Sequence, residues 1–350
     1  MNKKALLIIN LGSPASSKVE DVKPYLNQFL MDGEVIDIFY PLRAFLVKGL
    51  IVPFRAKKSS EAYKEIFSER GSPLLFHTKD FVEKLGPKVQ PNFQCVEYAM
   101  RYGEPSIESK IKELHDRGCS DLVVLPMYPQ FAKSSTRTVL KEIQRVLGKI
   151  KATEMNVRTW VDFFSEDFFI QSFVSVIKEE MESFKPDHLL LSYHGLPESH
   201  VKEFAPNSCF RTPHCCSTLN KGNRLCYRAQ CFETSRKIHS KLPPIDFTVS
   251  FQSRLGRQEW IKPYTDLEIE KILEKGAKRV LVACPAFVAD CLETLEEISI
   301  RLRDDFKSKG GEDLKLVPSL NSREDWVDSC AQFFKTARFQ PLLQTLNKVQ

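Results

Sequence analysis

Short, nearly continuous apolar runs alternate with helical patterns along the whole chain, and this alternation restricts the fold more than any other feature. Strands that are buried on both faces are apolar at almost every position, so these runs predict parallel strands. The helical segments between them predict β–α–β crossovers. Eight strands are expected, in chain order: ALLIINL (5–11), FQCVEYAM (93–100), DLVVLPMY (121–128), NVRTW (156–160), HLLLSYH (188–194), FTVSFQS (247–253), RVLVACPAF (279–287) and LKLVP (314–318).

The pattern occurs twice. Three landmarks recur in the same order in the two halves: LLIINLGSP (6–14) with LLLSYHGLP (189–197), MRYG (100–103) with SRLG (253–256), and IKELHDRGCSDLVVLP (111–126) with IEKILEKGAKRVLVACP (269–285). Turn chemistry alone repeats strand–glycine–proline patterns, but a shared order favours duplication. We therefore predict an α/β fold of two similar domains with parallel sheets, related by a pseudo-two-fold axis and separated by a cleft. The expected boundaries are 1–155 for the first domain, 156–325 for the second with a cysteine-rich insert at 207–232, and a C-terminal helix at 326–350.

Several functional classes lose support. The chain has no G-x-G-x-x-G and no G-x-x-x-x-G-K-[ST], which disfavours dinucleotide and P-loop sites. A net charge of +6 over 350 residues does not argue for nucleic acid. The first apolar run is too short for a signal-peptide core, and no run of 18 apolar residues occurs. We expect a cytoplasmic protein, with membrane association left open.

His194 follows a predicted strand directly and precedes Gly195. In parallel α/β sheets, ligands bind beyond the carboxyl ends of the strands, which is where His194 should emerge. A neutral imidazole there can bind a metal or accept a proton near neutral pH. The alternative is a histidine that only caps the strand.

Three carboxylates follow the strand RVLVACPAF. On a helix Asp290, Glu293 and Glu297 share one face, because they are spaced at i, i+3 and i+7. Such a row could bind a hard cation or relay protons. The alternative is a solvated acidic face.

Further candidates follow strands of the first half. Arg101 and Tyr102 come after one strand, and Tyr128 and Ser135 come after another. Arginine and hydroxyl groups suit a ligand that carries carboxylates, whereas aromatic rings suit a flat apolar one. The apolar lip, residues 29–59, is either core or the edge of a large ligand site, with three cations at its rim: Arg55, Lys57 and Lys58.

Five of the ten cysteines lie between residues 209 and 231. They are Cys209, Cys215, Cys216, Cys226 and Cys231, with basic residues among them (Arg211, Lys221, Arg224 and Arg228). No pair has the C-x-x-C spacing common in zinc sites, and the last two have C-x₄-C spacing. The spacing favours zinc and iron–sulfur equally and disulfides less.

Taken together, these motifs resemble the ferrochelatase family, whose members insert ferrous iron into a porphyrin. The resemblance runs from about Leu6 to Phe334. The motifs that carry it are NLGSP, GSPL, MRYG, YPQF with SST, SYHGLP, FQSRLGRQEWIKPYTD and CPAFVADCLETLEEI. It implies two Rossmann-like domains that do not bind dinucleotides, with protoporphyrin IX and Fe²⁺ as substrates.

The resemblance also implies roles for individual residues. His194 matches the histidine that faces the macrocycle, and Glu293 matches its acidic partner; both would be catalytic and would contact Fe²⁺. Asp290 and Glu297 would continue an acidic path. Four residues would bind porphyrin: Met31, Arg101, Tyr128 and Ser135. Alternatives are a chelatase for another tetrapyrrole such as coproporphyrin, or a non-catalytic porphyrin- or haem-binding iron–sulfur protein.

Many ferrochelatases carry a [2Fe–2S] cluster. Animal enzymes use one internal and three C-terminal cysteines, but here Cys330 stands alone and Lys133 occupies the internal position. Some bacterial relatives instead hold a cluster shortly after HGLP, where the cysteine-rich insert lies. The resemblance therefore favours a [2Fe–2S] cluster on Cys209, Cys216, Cys226 and Cys231, with Cys215 as a competitor for the second place. The apolar lip would allow peripheral membrane contact.

Overall fold

The computed structural model describes residues 3–152, 154–205, 209, 214–254, 256 and 258–349. Part of the expected cysteine-rich insert, residues 207, 208 and 210–213 with Arg211 among them, lies outside the described residues. Leu255 and Arg257 of the FQSRLGRQEW motif do so as well.

The described chain forms two compact units. The first consists of Met1–Tyr128, Lys133–Asp162 and Ser322–Gln350, and the second of Pro129–Ala132 and Phe163–Asn321. The first unit is therefore built from three separate stretches of sequence.

The first unit contains a sheet with the strand order β2-β1-β3-β4-β9. Its strands are β1 (Lys3–Asn10), β2 (Cys95–Met100), β3 (Cys119–Pro126), β4 (Asn156–Thr159) and β9 (Gln340–Pro341). The first four pair in parallel, and β9 pairs antiparallel to β4. β1 lies between β2 and β3, and its residues 5–10 are buried, as its apolar sequence predicts.

The second unit contains a parallel sheet with the order β6-β5-β7-β8. Its strands are β5 (His188–His194), β6 (Phe247–Gln252), β7 (Arg279–Ala283) and β8 (Asp313–Leu316). The order matches β2-β1-β3-β4 strand for strand, which confirms the prediction of two similar parallel α/β units. The repeated glycines Gly118 and Gly276 both have positive φ, at 77° and 98°, directly before β3 and before the turn into β7.

Helices separate the strands. The α-helices are α1 (Val19–Leu30), α2 (Tyr40–Ala44), α3 (Val52–Ile66), α4 (Pro73–Val89), α5 (Ile107–Asp116), α6 (Thr138–Lys149), α7 (Asp167–Phe184), α8 (Glu198–Lys202), α9 (Tyr227–His239), α10 (Thr265–Glu274), α11 (Leu292–Thr294), α12 (Arg303–Ser308), α13 (Glu324–Thr336) and α14 (Leu342–Val349). Among the described residues, three segments are π-helical: Phe45–Ile51, Lys133–Arg137 and Leu295–Leu302. Each lies in a stretch that the sequence singled out as functional, and π-helical turns are frequent at functional sites.

No helix in the described ranges is long and apolar enough to cross a membrane.

Candidate active site

His194 is the last residue of β5, which lies between β6 and β7. The side chain is half-buried, and His194 is in register with Gln252 of β6. The backbone N–H of Gly195 donates to the Gln252 carbonyl at 2.8 Å. A Cβ at position 195 would lie 2.7 Å from that carbonyl oxygen, so only glycine allows the chain to turn this closely after the histidine.

The contacts of the His194 ring indicate its tautomer. Nδ1 lies 2.6 Å from the carbonyl oxygen of Gly195. Because a carbonyl only accepts hydrogen bonds, Nδ1 carries the proton, and Nε2 of the neutral ring has an available lone pair. Tyr227 donates its hydroxyl proton to the His194 carbonyl at 2.8 Å, and the rings of Trp260 and Phe287 are each centred 6.4 Å from the imidazole. His194 can therefore accept a proton or bind a metal through Nε2.

The acidic segment differs from the predicted helix. Asp290 precedes the helix, Cys291 is its N-cap, and α11 begins at Leu292 and passes into the π-helix after Thr294. Cys291 and Thr294 cap the first turn reciprocally, each side chain bonding the other's backbone N–H. Asp290 therefore does not share a helix face with the two glutamates.

Asp290 is buried, at 7% exposure, and its carboxylate is held by hydrogen bonds. The donors to its two oxygens are Thr294 Oγ1 at 3.1 Å, the Ser319 backbone N–H at 3.1 Å and Asn321 Nδ2 at 2.7 Å. These bonds anchor the start of the acidic helix to the loop after β8.

Glu293 and Glu297 are half-buried in the same unit as His194. Burial, followed by the nearby Glu293 carboxylate, raises the pKa of the Cys291 thiol well above its ordinary value. Glu297 accepts hydrogen bonds from Ser253 and lies 3.8 Å from the exposed Arg301 guanidinium. The second unit thus contains a histidine and two carboxylates at the carboxyl ends of β5, β6 and β7.

The predicted porphyrin-binding residues all lie in the first unit. Met31 follows α1 and is half-buried, and Ser135 is half-buried in the π-helix Lys133–Arg137. Arg101, directly after β2, donates to the Asp32 carboxylate at 2.6 Å and to Thr138 Oγ1 at 2.8 Å. The Arg101 guanidinium is therefore already ion-paired within the protein.

Of the buried hydroxyl groups in the first unit that have no hydrogen-bond partner among the described residues, three follow strands: Ser13, Tyr128 and Thr136. Burial also raises the pKa of the Tyr128 hydroxyl well above its ordinary value. Ser13 follows β1, and the other two follow β3. Because an unsatisfied buried hydroxyl costs free energy, these groups are candidates for hydrogen bonds to a ligand.

Thiols of the cysteine-rich insert contact one another. Hydrogen bonding with the Cys209 thiol is the largest cause that raises the pKa of Cys226 to about 11, and hydrogen bonding with Cys226 raises the pKa of Cys216 well above its ordinary value. The Cys215 and Cys216 sulfurs are 3.7 Å apart. In the part of the chain that is described, however, no three His, Cys, Asp or Glu residues are grouped so that they could hold a metal ion.

A model of the ferrochelatase family matches residues 3–338. The ferrochelatase of Coxiella burnetii (strain Dugway 5J108-111) is 44% identical over 338 residues, which cover 95% of this chain and 94% of that protein. The ferrochelatase of Bdellovibrio bacteriovorus is 42% identical over 338 residues, which cover 96% of this chain and all (100%) of that protein. The chain belongs to the ferrochelatase family.

Membership of the ferrochelatase family identifies an enzyme, a lyase that inserts Fe²⁺ into a porphyrin for haem synthesis, as the sequence motifs predicted. Two solved structures share the fold. The sirohydrochlorin chelatase SirB from Bacillus subtilis subspecies spizizenii in complex with cobalt is 11% identical with a TM-score of 0.52, covering 93% of this chain and 92% of that one. SirB from Bacillus subtilis with Fe³⁺ is 12% identical with a TM-score of 0.53, covering 95% and 94%.

Proposed function

We propose that this chain inserts Fe²⁺ into protoporphyrin IX and that His194 accepts a porphyrin proton. A metal-free porphyrin carries two inner N–H protons, and both must leave as Fe²⁺ takes their place. The observation that carries the proposal is the contact between His194 Nδ1 and the Gly195 carbonyl at 2.6 Å, because it places the proton of the neutral ring on Nδ1 and leaves the Nε2 lone pair available.

The two glutamates have separate parts in this proposal. Glu293 follows β7, and β7 pairs with β5, the strand that ends at His194. Glu293 can bind incoming Fe²⁺ or take the second proton. Glu297, four residues further along the helix, would carry protons onward. Asp290 would continue the path only indirectly, since its oxygens accept three hydrogen bonds that hold the helix start in place.

The first unit would bind the porphyrin. Met31, Tyr128 and Ser135 would contact the ring and its edges, and the unpartnered hydroxyl of Tyr128 supports this assignment. Arg101 would bind a porphyrin propionate while remaining paired with Asp32. Alternatively, Arg101 would only hold in place the loop that carries Met31.

We also propose that the cysteine-rich insert holds a [2Fe–2S] cluster on Cys209, Cys216, Cys226 and Cys231. The contacts of Cys226 with both Cys209 and Cys216 support this ligand set. Hydrogen bonding with Cys226 raises the pKa of Cys216 and burial raises the pKa of Cys231, and the nearby Arg228 guanidinium opposes both shifts. Thiolates are the ligands that iron–sulfur clusters require.

Peripheral membrane contact through the apolar lip completes the proposal. Six of its large side chains are exposed: Phe39 (77%), Tyr40 (60%), Leu42 (51%), Phe45 (64%), Leu50 (44%) and Phe54 (80%). An apolar patch on this scale marks an interaction surface, and the neighbouring Arg55, Lys57 and Lys58 suit an anionic headgroup layer.

The experiment is metal insertion followed by porphyrin absorbance, with Fe²⁺ or Zn²⁺ and with protoporphyrin IX or coproporphyrin. His194→Ala should lower the turnover rate by about 10² to 10⁴-fold, as loss of a general base does. His188→Ala is a matched control, since His188 occupies the opposite end of the same strand and should leave turnover unchanged.

Faster turnover with coproporphyrin would overturn the assignment of protoporphyrin IX. Full activity of His194→Ala would overturn the role of the histidine. Porphyrin binding without any turnover in the unaltered protein would mean a carrier rather than an enzyme.

A further inference from the structure

Two consecutive residues at the end of β6 contact Glu293, Glu297 and the residue directly after His194. Gln252 is the last residue of β6 and is buried, at 4% exposure. Its backbone carbonyl accepts from Gly195, the residue directly after His194, at 2.8 Å. Its side-chain Nε2 donates to the backbone carbonyl of Glu293 at 2.8 Å, while Oε1 accepts from Ser192 Oγ at 2.8 Å. One buried amide thus joins the histidine strand to the first turn of the acidic helix.

The next residue, Ser253, holds the second acid. Its backbone N–H donates to one carboxylate oxygen of Glu297 at 3.0 Å, and its hydroxyl donates to the other oxygen. Two donors from one residue fix both the position and the rotation of the carboxylate. The only other contact that the structure gives this carboxylate within the described chain is Arg301 at 3.8 Å, and that arginine is 60% exposed.

Ser253 makes these bonds from an unfavourable backbone conformation. Its φ is +66°, in the left-handed region that a side chain with a Cβ rarely adopts. Such strain persists only where the surroundings maintain it, and it concentrates at functional sites. Here it directs the N–H and the hydroxyl of a single serine at the same carboxylate.

We propose that Gln252 and Ser253 are positioning residues that set Glu293 and Glu297 relative to His194. This inference rests on the proposed function, because it assumes that the two acids serve metal insertion. α11 has only three residues before the π-helix begins, and its start is held by the capping box of Cys291 and Thr294. The contacts from the neighbouring strand end add to this: Gln252 holds the Glu293 backbone, and Ser253 holds the Glu297 carboxylate.

The test compares Gln252→Glu, Ser253→Ala and Ser253→Gly in the full chain. Gln252→Glu keeps the shape of the side chain but directs an oxygen at the Glu293 carbonyl. Both serine variants lose the hydroxyl, but only glycine relieves the strain at φ +66°. Thr248→Val is the matched control, because Thr248 lies on the same strand and its hydroxyl contacts His188 Nε2 at 2.9 Å, at the opposite end of β5 from His194.

All three variants should lower kcat for iron insertion by about 10-fold, the effect of losing one hydrogen bond to a charged or catalytic group. The KM for porphyrin should stay within about twofold, since the expected porphyrin contacts are elsewhere. Thr248→Val should change neither quantity. If Ser253 had only a structural role, Ser253→Gly would be as stable as the unaltered protein and would keep its full kcat.

A double-mutant cycle separates this inference from the proposed function. In a Glu297→Gln background, Ser253→Ala should have no further effect on kcat, because the carboxylate that it orients is gone. Additive effects, or full activity of Gln252→Glu and Ser253→Ala, would overturn the positioning role. Activity that survives His194→Ala would instead overturn the proposed function and leave the geometry of β6 unexplained.

Discussion

The Arg101 guanidinium donates to the Asp32 carboxylate at 2.6 Å, and neither side chain is more than 13% exposed. The same carboxylate accepts from the Tyr102 hydroxyl at 2.8 Å and from the Thr138 hydroxyl. Asp32 therefore connects the end of α1, the end of β2 and the start of α6. It also lies next to Met31, so the ion pair fixes a residue that we expect to contact porphyrin.

Replacement of Asp32 by Asn should destabilise the protein. The change leaves the buried Arg101 charge without a counter-charge, which typically costs about 3 kcal/mol. Urea denaturation would measure the free energy of unfolding. Asp266→Asn is the control, because its pair with Arg254 is about half exposed and is expected to contribute under about 1 kcal/mol. Equal losses in the two variants would show that Asp32 has no special role.

Iron–sulfur binding should depend on the insert and not on the other cysteines. Protein purified under anaerobic conditions should be red-brown, and Cys226→Ser should lose the visible absorption and the bound iron. Cys330→Ala should keep both, since Cys330 is fully buried in the first unit outside the insert. Cys215→Ala should also keep both. If Cys215→Ala lost the colour and Cys216→Ala kept it, Cys215 and not Cys216 would be the cluster ligand. A colourless, zinc-containing protein would contradict the cluster.

The apolar lip should bind anionic vesicles. Phe39→Ser and Phe54→Ser, at 77% and 80% exposure, should each weaken vesicle binding by about tenfold, because each removes a large apolar side chain from the contact. Leu343→Ser is the control, since Leu343 is 62% exposed on α14 and outside the lip. Co-sedimentation with vesicles would measure the effect. Equal binding by all the variants would exclude the lip as the contact surface.

His188 should make stability depend on pH. Burial, together with Lys275, lowers the pKa of His188 below its ordinary value, while Asp246 opposes the shift. The unfolded chain therefore binds more protons just below pH about 6.5, so the stabilisation is complete above that pH and is lost as the pH falls through the lower, folded pKa. His188→Gln should flatten this decline in denaturation series at several pH values. An unchanged slope would show that other groups cause it.

β1, β3, β5 and β7 could be predicted because each is an apolar run that is mostly buried, whereas β4 and β8 are short and only partly buried. β9 could not be predicted, since Gln340 and Pro341 are exposed and form no apolar run, and only their pairing with β4 makes them a strand. Local sequence encodes burial well and pairing between distant segments poorly.

The same limit applies to the site. His194 was predictable because its strand and the following glycine define its position. The bonds of Asp290 were not, since Ser319 and Asn321 lie about 30 residues further along the chain and carry no distinguishing pattern. The roles of Asp32 and Ser253 were not predictable for the same reason, because they depend on partners brought close by folding. The role of Ser253 also depends on a backbone angle. The π-helical turns were also unpredicted, because their sequence pattern differs little from that of α-helices.

Residues 322–350 belong to the first unit, where Trp326 is fully buried and its ring is centred 5.9 Å from that of Phe81 on α4. Lys88 of α4 also pairs with Glu324 and Asp328. The ribosome synthesises the chain from its amino end, so more than 200 further residues must be made before α4 can form these contacts. The first unit therefore completes its packing only after the second unit has been fully synthesised.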